Sequence, residues 1–282
     1  MTNERERTPP AGTPQPTIAL LVSDVDGTLV DKRKELTPGT IAAVKRLRDA
    51  GIPIALISAR PMSGIRPLLD TLALDDVAAA FNGGILFRRD GTIIAQHRID
   101  PDVARGMIDL ARDTPVDTWV FADDRWYATD PHGAHTASER LASAQEPVAT
   151  DDLAPLLARA DKITFVHDDE DRLRALTDRC QQAFGARATI VQSQTYYLDV
   201  TAPLANKGDG IAALAHAHGV PLDRVAAIGD QANDLPMLAR AGLSIAMGNA
   251  PDAIRAKAMH VTLANDRDGV AEAIHTLILG DH

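Results

Sequence analysis

Two kinds of segment, distinguished by the spacing of their hydrophobic residues, follow one another in the first part of the chain. Short apolar runs of strand length are separated by segments whose apolar residues recur at helical spacing. Thr37 can cap the first helix, Pro38 suits its first turn, and Gly51 ends it. This βαβαβ order predicts a parallel sheet with helices on its faces. The predicted strands cover residues 18–22, 52–57 and 77–81, and the predicted helices cover 38–50 and 62–72.

The middle of the chain follows a different pattern. After Asn82-Gly83-Gly84, the segment ILFRRDGTIIA predicts a β-hairpin with Asp90-Gly91 in its turn. Hairpins mixed with helices are typical of an α+β domain with an antiparallel sheet. Further strands are expected within 117–129 and at 162–166, 188–192 and 196–200, and helices at 101–112 and 170–184.

The first pattern returns from Lys207 onward, where helices and short apolar runs alternate again. The expected fold is therefore α/β, with a Rossmann-like parallel core made of residues 17–85 and 200–282. An α+β cap domain, residues 86–199, is expected to be inserted between these two segments. Residues 1–16 are polar and proline-rich, and a disordered tail is expected there.

The bulk composition limits the partners. The chain has 282 residues and a formal net charge of −10, which argues against nucleic acid or an anionic membrane as the main partner. No apolar run reaches the length of about 18 residues that a membrane span needs. The single cysteine, Cys180, cannot form an internal disulfide, which favours a reducing cytoplasm. We therefore expect a monomer or a homodimer that acts on a small soluble ligand.

Polar clusters follow the strands of the predicted core. Ligands of open parallel sheets bind outside the carboxyl ends of the strands, so these clusters should share one edge of the sheet. They are Asp24-Val25-Asp26-Gly27 after the first strand, Ser58 after the second, Lys207 at the start of a helix, and Asp230 to Asp234 after an apolar run at 225–228.

The carboxylates of these clusters predict a metal site. Asp24, Asp230 and Asp234 would form a set of oxygen ligands without His or Cys, which favours Mg²⁺ over zinc. The cation would also offset the repulsion between Asp24 and Asp26, which lie two positions apart.

The remaining groups predict phosphate chemistry. Ser58 and Lys207 supply a hydroxyl donor and a positive charge that suit phosphate oxygens. Gly27 lets backbone N–H groups approach a phosphate closely. Asp24 is a candidate covalent nucleophile, and Asp26 can act as acid for the leaving group and then as base for water.

Four motifs make a family resemblance specific. The segments DVDGTLV, ISAR, NKGDG and GDQANDLPML resemble the four motifs of the haloacid dehalogenase superfamily in order and spacing. The position and length of the insert are similar to those of the Cof-type subfamily, which carries an α/β cap between its second and third motifs. The resemblance implies a phosphatase that acts on a small phosphorylated metabolite, such as a sugar phosphate or a phosphorylated cofactor, through an aspartyl-phosphate intermediate.

The resemblance also implies a role for each matching position. Ala59 and Ser58 replace a glycine and a threonine that many relatives have, and both changes are small. The implied roles are Asp24 as nucleophile and metal ligand, Asp26 as general acid/base and as a metal ligand through its backbone carbonyl, Ser58 and Lys207 as phosphate ligands, Asp230 as metal ligand, and Asn233 and Asp234 as support for the metal site.

Several interpretations stay open at this point. Arg60 can contact the substrate or bridge surface acids, and His132 and His135 can be a metal pair or inert loop residues. A phosphotransferase or phosphomutase of the same superfamily would carry the same motifs. A phospho-accepting signalling domain would need neither Asp26 nor a cap, and an inactive binding protein would not need Asp24, Asp26, Lys207 and Asp230 intact.

Overall fold

The computed structural model describes residues 17–281 of the chain, so the tail expected at residues 1–16 lies outside the described residues. The described strands, in chain order, are β1 (Leu20–Ser23), β2 (Ile54–Leu56), β3 (Ala78–Ala80), β4 (Ile85–Phe87), β5 (Ile93–Gln96), β6 (Asp117–Ala122), β7 (Arg125–Ala128), β8 (Val148–Ala149), β9 (Ala160–Val166), β10 (Thr189–Gln194), β11 (Tyr197–Thr201), β12 (Val225–Gly229), β13 (Leu243–Ala246) and β14 (His260–Val261). The described helices are α1 (Pro38–Asp49), α2 (Met62–Thr71), α3 (Pro101–Ala111), α4 (Thr136–Ser143), α5 (Ala154–Leu157), α6 (Glu170–Phe184), α7 (Lys207–Ala217), α8 (Leu235–Leu238), α9 (Asp252–Arg255) and α10 (Gly269–Ala273), which continues as a π-helical turn.

The core is a five-stranded parallel sheet in the order β14-β13-β12-β1-β2. Strand β1, between β12 and β2, is buried on both faces because helices cover both sides. Leu20 and Val22 pack in a cluster with Ile211 of α7, whereas Leu21 packs in a cluster with Val44 of α1. This alternation confirms the predicted doubly covered parallel sheet.

The inserted segment contains a six-stranded sheet in the order β10-β11-β9-β6-β7-β8, whose pairs are antiparallel except β7 with β8. Helices α3, α5 and α6 cover one face, where Val120, Ile163 and Leu198 are buried with them. Residues at the alternate positions lie on the other face, toward the core. On that face the Phe121 ring lies 5.7 Å from the ring of Phe81, measured between centroids.

The strand at 77–81 differs from the prediction in its partners. β3 pairs antiparallel with β4, which pairs with β5, and these three strands form a sheet of their own. A single parallel bridge, Ile57 to Ala79, links β3 to the chain just after β2. The positive φ angles of Phe81 and Asn82 turn the chain directly into the hairpin. The domain boundaries expected at residues 86 and 199 pass through β4 and β11, and we propose 97 and 201 as boundaries that keep both strands whole.

Sequence reasoning missed three short elements of the inserted segment, namely α4, α5 and β8. The reason is clearest for α4, because its buried residues are Thr136 and Ser143 and both are polar. A helix that buries hydroxyl side chains shows no hydrophobic periodicity.

Helix α4 contacts the core at the start of α2. The Ser63 hydroxyl donates to the backbone carbonyl of Ser143 over 2.7 Å, and the Gln145 side chain donates to Ser63 Oγ over 2.6 Å. Gly64 lies so close to Ala142 that a Cβ atom on residue 64 would overlap the Ala142 carbonyl oxygen. The lack of a side chain at position 64 therefore sets how closely the cap approaches the core.

We predict that Gly64→Ala moves α4 away from α2. The added methyl group meets backbone, which cannot rotate aside as a side chain can, and such overpacking typically costs about 1–3 kcal/mol. Limited proteolysis should cut the segment around α4 faster than in the parent protein, and thermal unfolding should begin at a lower temperature. Ser63→Ala is the matched control, because it removes hydrogen bonds at the same contact without adding bulk, and its effect should be smaller. Equal protease resistance of Gly64→Ala and the parent would contradict the contact.

Candidate active site

The predicted polar clusters meet at the carboxyl edge of the parallel sheet. Asp24 follows β1, Ser58 follows β2, Asp230 follows β12, and Lys207 opens α7. Because β12, β1 and β2 are neighbours that run in the same direction, their carboxyl ends lie side by side. All four side chains belong to residues that are buried.

Three carboxylates converge at this edge. Asp24, Asp230 and Asp234 each offer a carboxylate oxygen, and these oxygens lie within 4.8 Å of one another. Within residues 17–281, this is the one group of three or more potential metal ligands. The Lys207 ammonium group donates to Asp24 Oδ1 over 2.5 Å and also to Asp234 Oδ1. One lysine thus faces three acidic groups in a buried site.

Asp234 holds the loop after β12 in place. Its Oδ2 atom accepts hydrogen bonds from the backbone N–H groups of Asp230 and Gln231, each over 2.8 Å. The other oxygen of the same carboxylate binds Lys207. Asp234 therefore positions both Asp230 and Lys207. Asn233, the other residue expected to support the site, lines the adjoining cavity.

Gly27 is required where the loop after β1 passes Asp230. Its φ angle of 79° is in the left-handed region, and a Cβ atom there would overlap the Asp230 carboxylate. The Thr28 hydroxyl donates to Asp230 Oδ1 over 3.1 Å. Asn249, which follows β13, donates from its side chain to the Gly27 carbonyl oxygen over 2.8 Å. Sequence reasoning missed Thr28 and Asn249, although Asn249 also follows a strand of the same sheet edge.

Crowding changes the acidity of these groups. The pKa of Asp24 is raised to about 8, chiefly by burial; Lys207 opposes the rise, and Asp234 and Asp230 contribute to it. Burial and the neighbouring Asp234 raise the pKa of Asp230 to about 6. Burial alone would lower the pKa of Lys207, but the carboxylates of Asp234 and Asp24 outweigh it and raise that pKa. The site as a whole favours an additional positive charge.

The donor set fits a hard divalent cation. It consists of carboxylate oxygens in a buried site without a sulfur or imidazole ligand, which is the set that Mg²⁺ prefers. The alternative pair of His132 and His135 forms no such group within residues 17–281. His135 instead contacts Asp168 over 2.6 Å and stacks on Tyr196 with ring centroids 3.8 Å apart.

Asp26 has different partners from Asp24, although only Val25 separates them. Arg60 donates from Nε and Nη2 to the two carboxylate oxygens of Asp26, each over 2.7 Å, and Lys34 donates to Oδ1 over 2.5 Å. Burial would raise the pKa of Asp26, but the hydrogen bonds and charges of Arg60 and Lys34 lower it to about 2. Arg60 thus pairs with an acid of the site itself, and it also lines the adjoining cavity.

A cavity of about 180 Å³ lies between this edge of the core and the cap. Its walls join the two parts of the chain, since Asp24, Asp26 and Ser58 of the core face side chains of the six-stranded sheet and of α4. Sequence reasoning did not identify the cap residues that line it. They are Ser138, Glu139, Ala142, Lys162, Ser193, Gln194, Tyr196, Tyr197 and Asp199.

The aromatic residues of the cap differ in what they contact. Trp119 and Trp126 are fully buried in the cluster that includes Phe81 of the core, in an edge-to-face arrangement with centroids 5.1 Å apart. Tyr196 and Tyr197 line the cavity, and the Tyr197 ring lies edge-on to Trp119. Consecutive residues of a β-strand point to opposite faces of the sheet, so consecutive aromatic residues in a sequence do not show which ring faces a ligand.

Comparison with known proteins gives the family. The profile of the haloacid dehalogenase-like hydrolases matches residues 21–274. Pyridoxal phosphate phosphatase of Escherichia coli is 28% identical over 274 residues, which are 93% of this chain and 100% of that protein. A haloacid dehalogenase-like hydrolase from Bacteroides thetaiotaomicron has a similar structure, with a TM-score of 0.83, 26% identity, and coverage of 92% of this chain and 98% of that one.

One relative is much longer than this chain. The chloroplastic endoribonuclease YBEY of Arabidopsis thaliana is 26% identical over 272 residues, and the match covers 93% of this chain but 47% of that protein. The chain thus spans about half the length of that relative. Among the described residues, no helix combines the length and the apolar composition that crossing a bilayer requires. The match over residues 21–274 shows that this chain belongs to the haloacid dehalogenase-like hydrolases, which confirms the resemblance of its four sequence motifs.

Proposed function

We propose that the protein is a Mg²⁺-dependent phosphatase that hydrolyses a small phosphorylated metabolite through a phosphorylated Asp24. The observation that carries the proposal is the buried group of Asp24, Asp230 and Asp234, with Lys207 bound to Asp24. The named relative acts on pyridoxal phosphate, a small phosphate ester. A carboxylate held beside a lysine at the edge of this cavity suits attack on a phosphorus atom.

The chain's own groups account for the first half of the reaction. The Asp24 carboxylate attacks phosphorus, an acyl phosphate bond forms, and the ester P–O bond breaks. Lys207 and Ser58 bind the phosphoryl oxygens as negative charge builds on them. Asp26 gives a proton to the departing alkoxide. Asp24, Asp230 and the backbone carbonyl of Asp26 would hold Mg²⁺, which when bound neutralises charge on the phosphoryl group.

The second half returns the enzyme to its starting state. Asp26, now ionised, takes a proton from water, and the water oxygen attacks phosphorus. The acyl phosphate bond breaks and inorganic phosphate leaves. The contacts from Arg60 and Lys34 lower the pKa of Asp26 to about 2 and thereby keep its carboxylate ionised, as this base step requires. The acid step requires a protonated Asp26, so the contacts from Arg60 and Lys34 must loosen when substrate is bound.

A phosphotransferase or phosphomutase would use the same groups with an alcohol in place of water. The two activities differ in one observable product. Release of inorganic phosphate in water without an acceptor alcohol supports hydrolysis, whereas isomerisation of a hexose phosphate without phosphate release would support transfer.

We predict that Asp24→Asn lowers the turnover number by about 10⁴-fold or more, since the amide is a poor nucleophile. Fold stability in metal-free buffer should not fall, because the change removes one of three crowded carboxylates while Asp234 still pairs with Lys207. Phosphate release and thermal unfolding measure the two effects. Asp49→Asn, on the exposed end of α1, is the control and should match the parent. Near-normal turnover by a homogeneous Asp24→Asn preparation would exclude Asp24 as the nucleophile.

Phosphate release should depend on a divalent metal ion. Removal of divalent cations with a chelator should abolish phosphate release, and Mg²⁺ should restore it fully. Zn²⁺ should restore much less, because the donor set lacks the nitrogen and sulfur ligands that zinc favours. Unchanged activity in rigorously metal-free buffer would contradict the assignment of Asp230 as a metal ligand.

Replacement of Asp26 separates its part in acid catalysis from its part in binding. Asp26→Asn should lower turnover of alkyl phosphates by about 10²–10⁴-fold, because the amide cannot protonate the leaving alkoxide. The loss should be smaller for p-nitrophenyl phosphate, whose leaving group needs little protonation. Turnover of both substrates, measured side by side, tests this directly. An equal loss for both would remove the acid role from Asp26.

A further inference from the structure

The face of the cap sheet that looks toward the core carries polar residues in β9 and β11, beside the buried aromatic residues of β6. In β9 the apolar residues Ile163 and Phe165 are buried against the cap helices, and Lys162 and Thr164 alternate with them. In β11, Asp199 likewise lies between two apolar residues of that cluster. Lys162 and Asp199 line the cavity above Asp24. A cap that closed over the core only to exclude water would not need charged residues at these positions.

Asp199 is already fully engaged by neighbouring cap residues. Its Oδ1 atom accepts a hydrogen bond from Thr164 Oγ1 over 2.7 Å and pairs with Lys162 Nζ at 3.0 Å. Its Oδ2 atom accepts a hydrogen bond from Ser193 Oγ over 2.7 Å. The charge of Asp199 is thus compensated within the cap, and little of its hydrogen-bonding capacity is left for a ligand.

Glu139 is the carboxylate of the cavity that has no partner. It lies on α4, and within residues 17–281 its carboxyl group makes no hydrogen bond and no ion pair. The side chain is nevertheless partly buried, in the cavity that also contains Asp26 and Lys162. Burial raises the pKa of Glu139 to about 7, with Lys162 lowering it and Asp199 and Asp26 raising it. A carboxyl group in such a site has its hydrogen-bonding capacity available for a ligand.

The basic residues that line the cavity already have acidic partners. Arg60 and Lys34 bind Asp26, and Lys162 binds Asp199. The contact between Gly64 and Ala142 holds α4 against the core and thereby holds Glu139 over the site. A leaving group that extends from the phosphate toward the cap therefore meets a free carboxyl group.

We propose that Glu139 is a specificity-determining residue that accepts hydrogen bonds from hydroxyl groups of the leaving group and excludes leaving groups that carry a carboxylate. This inference rests on the proposed phosphatase function. Hydroxyl groups suit the cavity because they donate to Glu139 and can also accept from Lys162. A carboxylate can only accept, and it would place a second negative charge beside the ionised form of Glu139, while the cations of the cavity are already paired with Asp26 and Asp199.

The test uses pairs of phosphate esters that differ in one group. Glycerol 3-phosphate and 3-phosphoglycerate differ by CH₂OH against COO⁻, as do sorbitol 6-phosphate and 6-phosphogluconate. The parent enzyme should prefer the hydroxylated member of each pair by about tenfold or more in kcat/KM, since like charges brought together in an interface are strongly disfavoured. Where turnover is slow, each ester is added as a competitor of p-nitrophenyl phosphate hydrolysis, and the inhibition constants of the two members of a pair are compared.

Glu139→Gln should shrink this preference by about tenfold, mainly by improving the carboxylated member. Glu272→Gln, on the exposed side of α10, is the matched control and should leave both the preference and the activity unchanged. If the Mg²⁺-loaded parent enzyme has no activity toward p-nitrophenyl phosphate, the proposed function itself is refuted. Hydrolysis of that ester with no preference in either pair, or with a preference that Glu139→Gln leaves intact, would overturn the role of Glu139 alone.

Discussion

The ion pairs of Lys207 with Asp24 and Asp234 are the contacts on which the site depends. Three buried carboxylates share this edge of the sheet, and Lys207 is the cation bound to two of them. Burying carboxylates without compensation is costly, and the raised pKa values of Asp24 and Asp230 reflect that cost. In the proposed function, a divalent cation bound among these carboxylates offsets that cost, so the crowding itself favours binding of the cation.

The two aspartates after β1 have opposite environments. Asp24 is surrounded by carboxylates, and its pKa is raised, whereas Asp26 is held by Arg60 and Lys34 and its pKa is lowered. Neighbouring groups that differ in this way can take different chemical roles, one as nucleophile and one as a proton-transfer group. The backbone turn at Gly27 makes the separation possible, because it brings Asp230 to the side of Asp24.

The parallel core was predictable from the sequence because its signals are local. Thr37 caps α1 by accepting the Thr40 backbone N–H group, and the apolar runs of β1 and β12 are buried as their composition indicates. The polar clusters at the strand ends were predictable for the same reason. The orientation of the Asp26 side chain was not predictable, because it depends on a hydrogen bond from Arg60, which lies 34 residues away in the sequence. The role of Glu139 could not be found either, since α4 buries hydroxyl side chains and its place over the site is set by contact with Gly64.

The cap and the core contribute to the site in different ways. In the proposed reaction, the core supplies the groups that act on the phosphate ester, namely Asp24, Asp26, Ser58 and Lys207. The cap supplies other side chains that line the cavity, and two of them, Lys162 and Asp199, form an ion pair within the cap. The central claim, that Asp24 is phosphorylated during turnover, is tested most directly by quenching the Mg²⁺-loaded enzyme in acid during steady-state hydrolysis and mapping the phosphoryl group by tandem mass spectrometry. The account predicts an acid-stable, base-labile phosphate on the peptide that contains Asp24. Continued release of inorganic phosphate with the phosphoryl group found on another residue would contradict it.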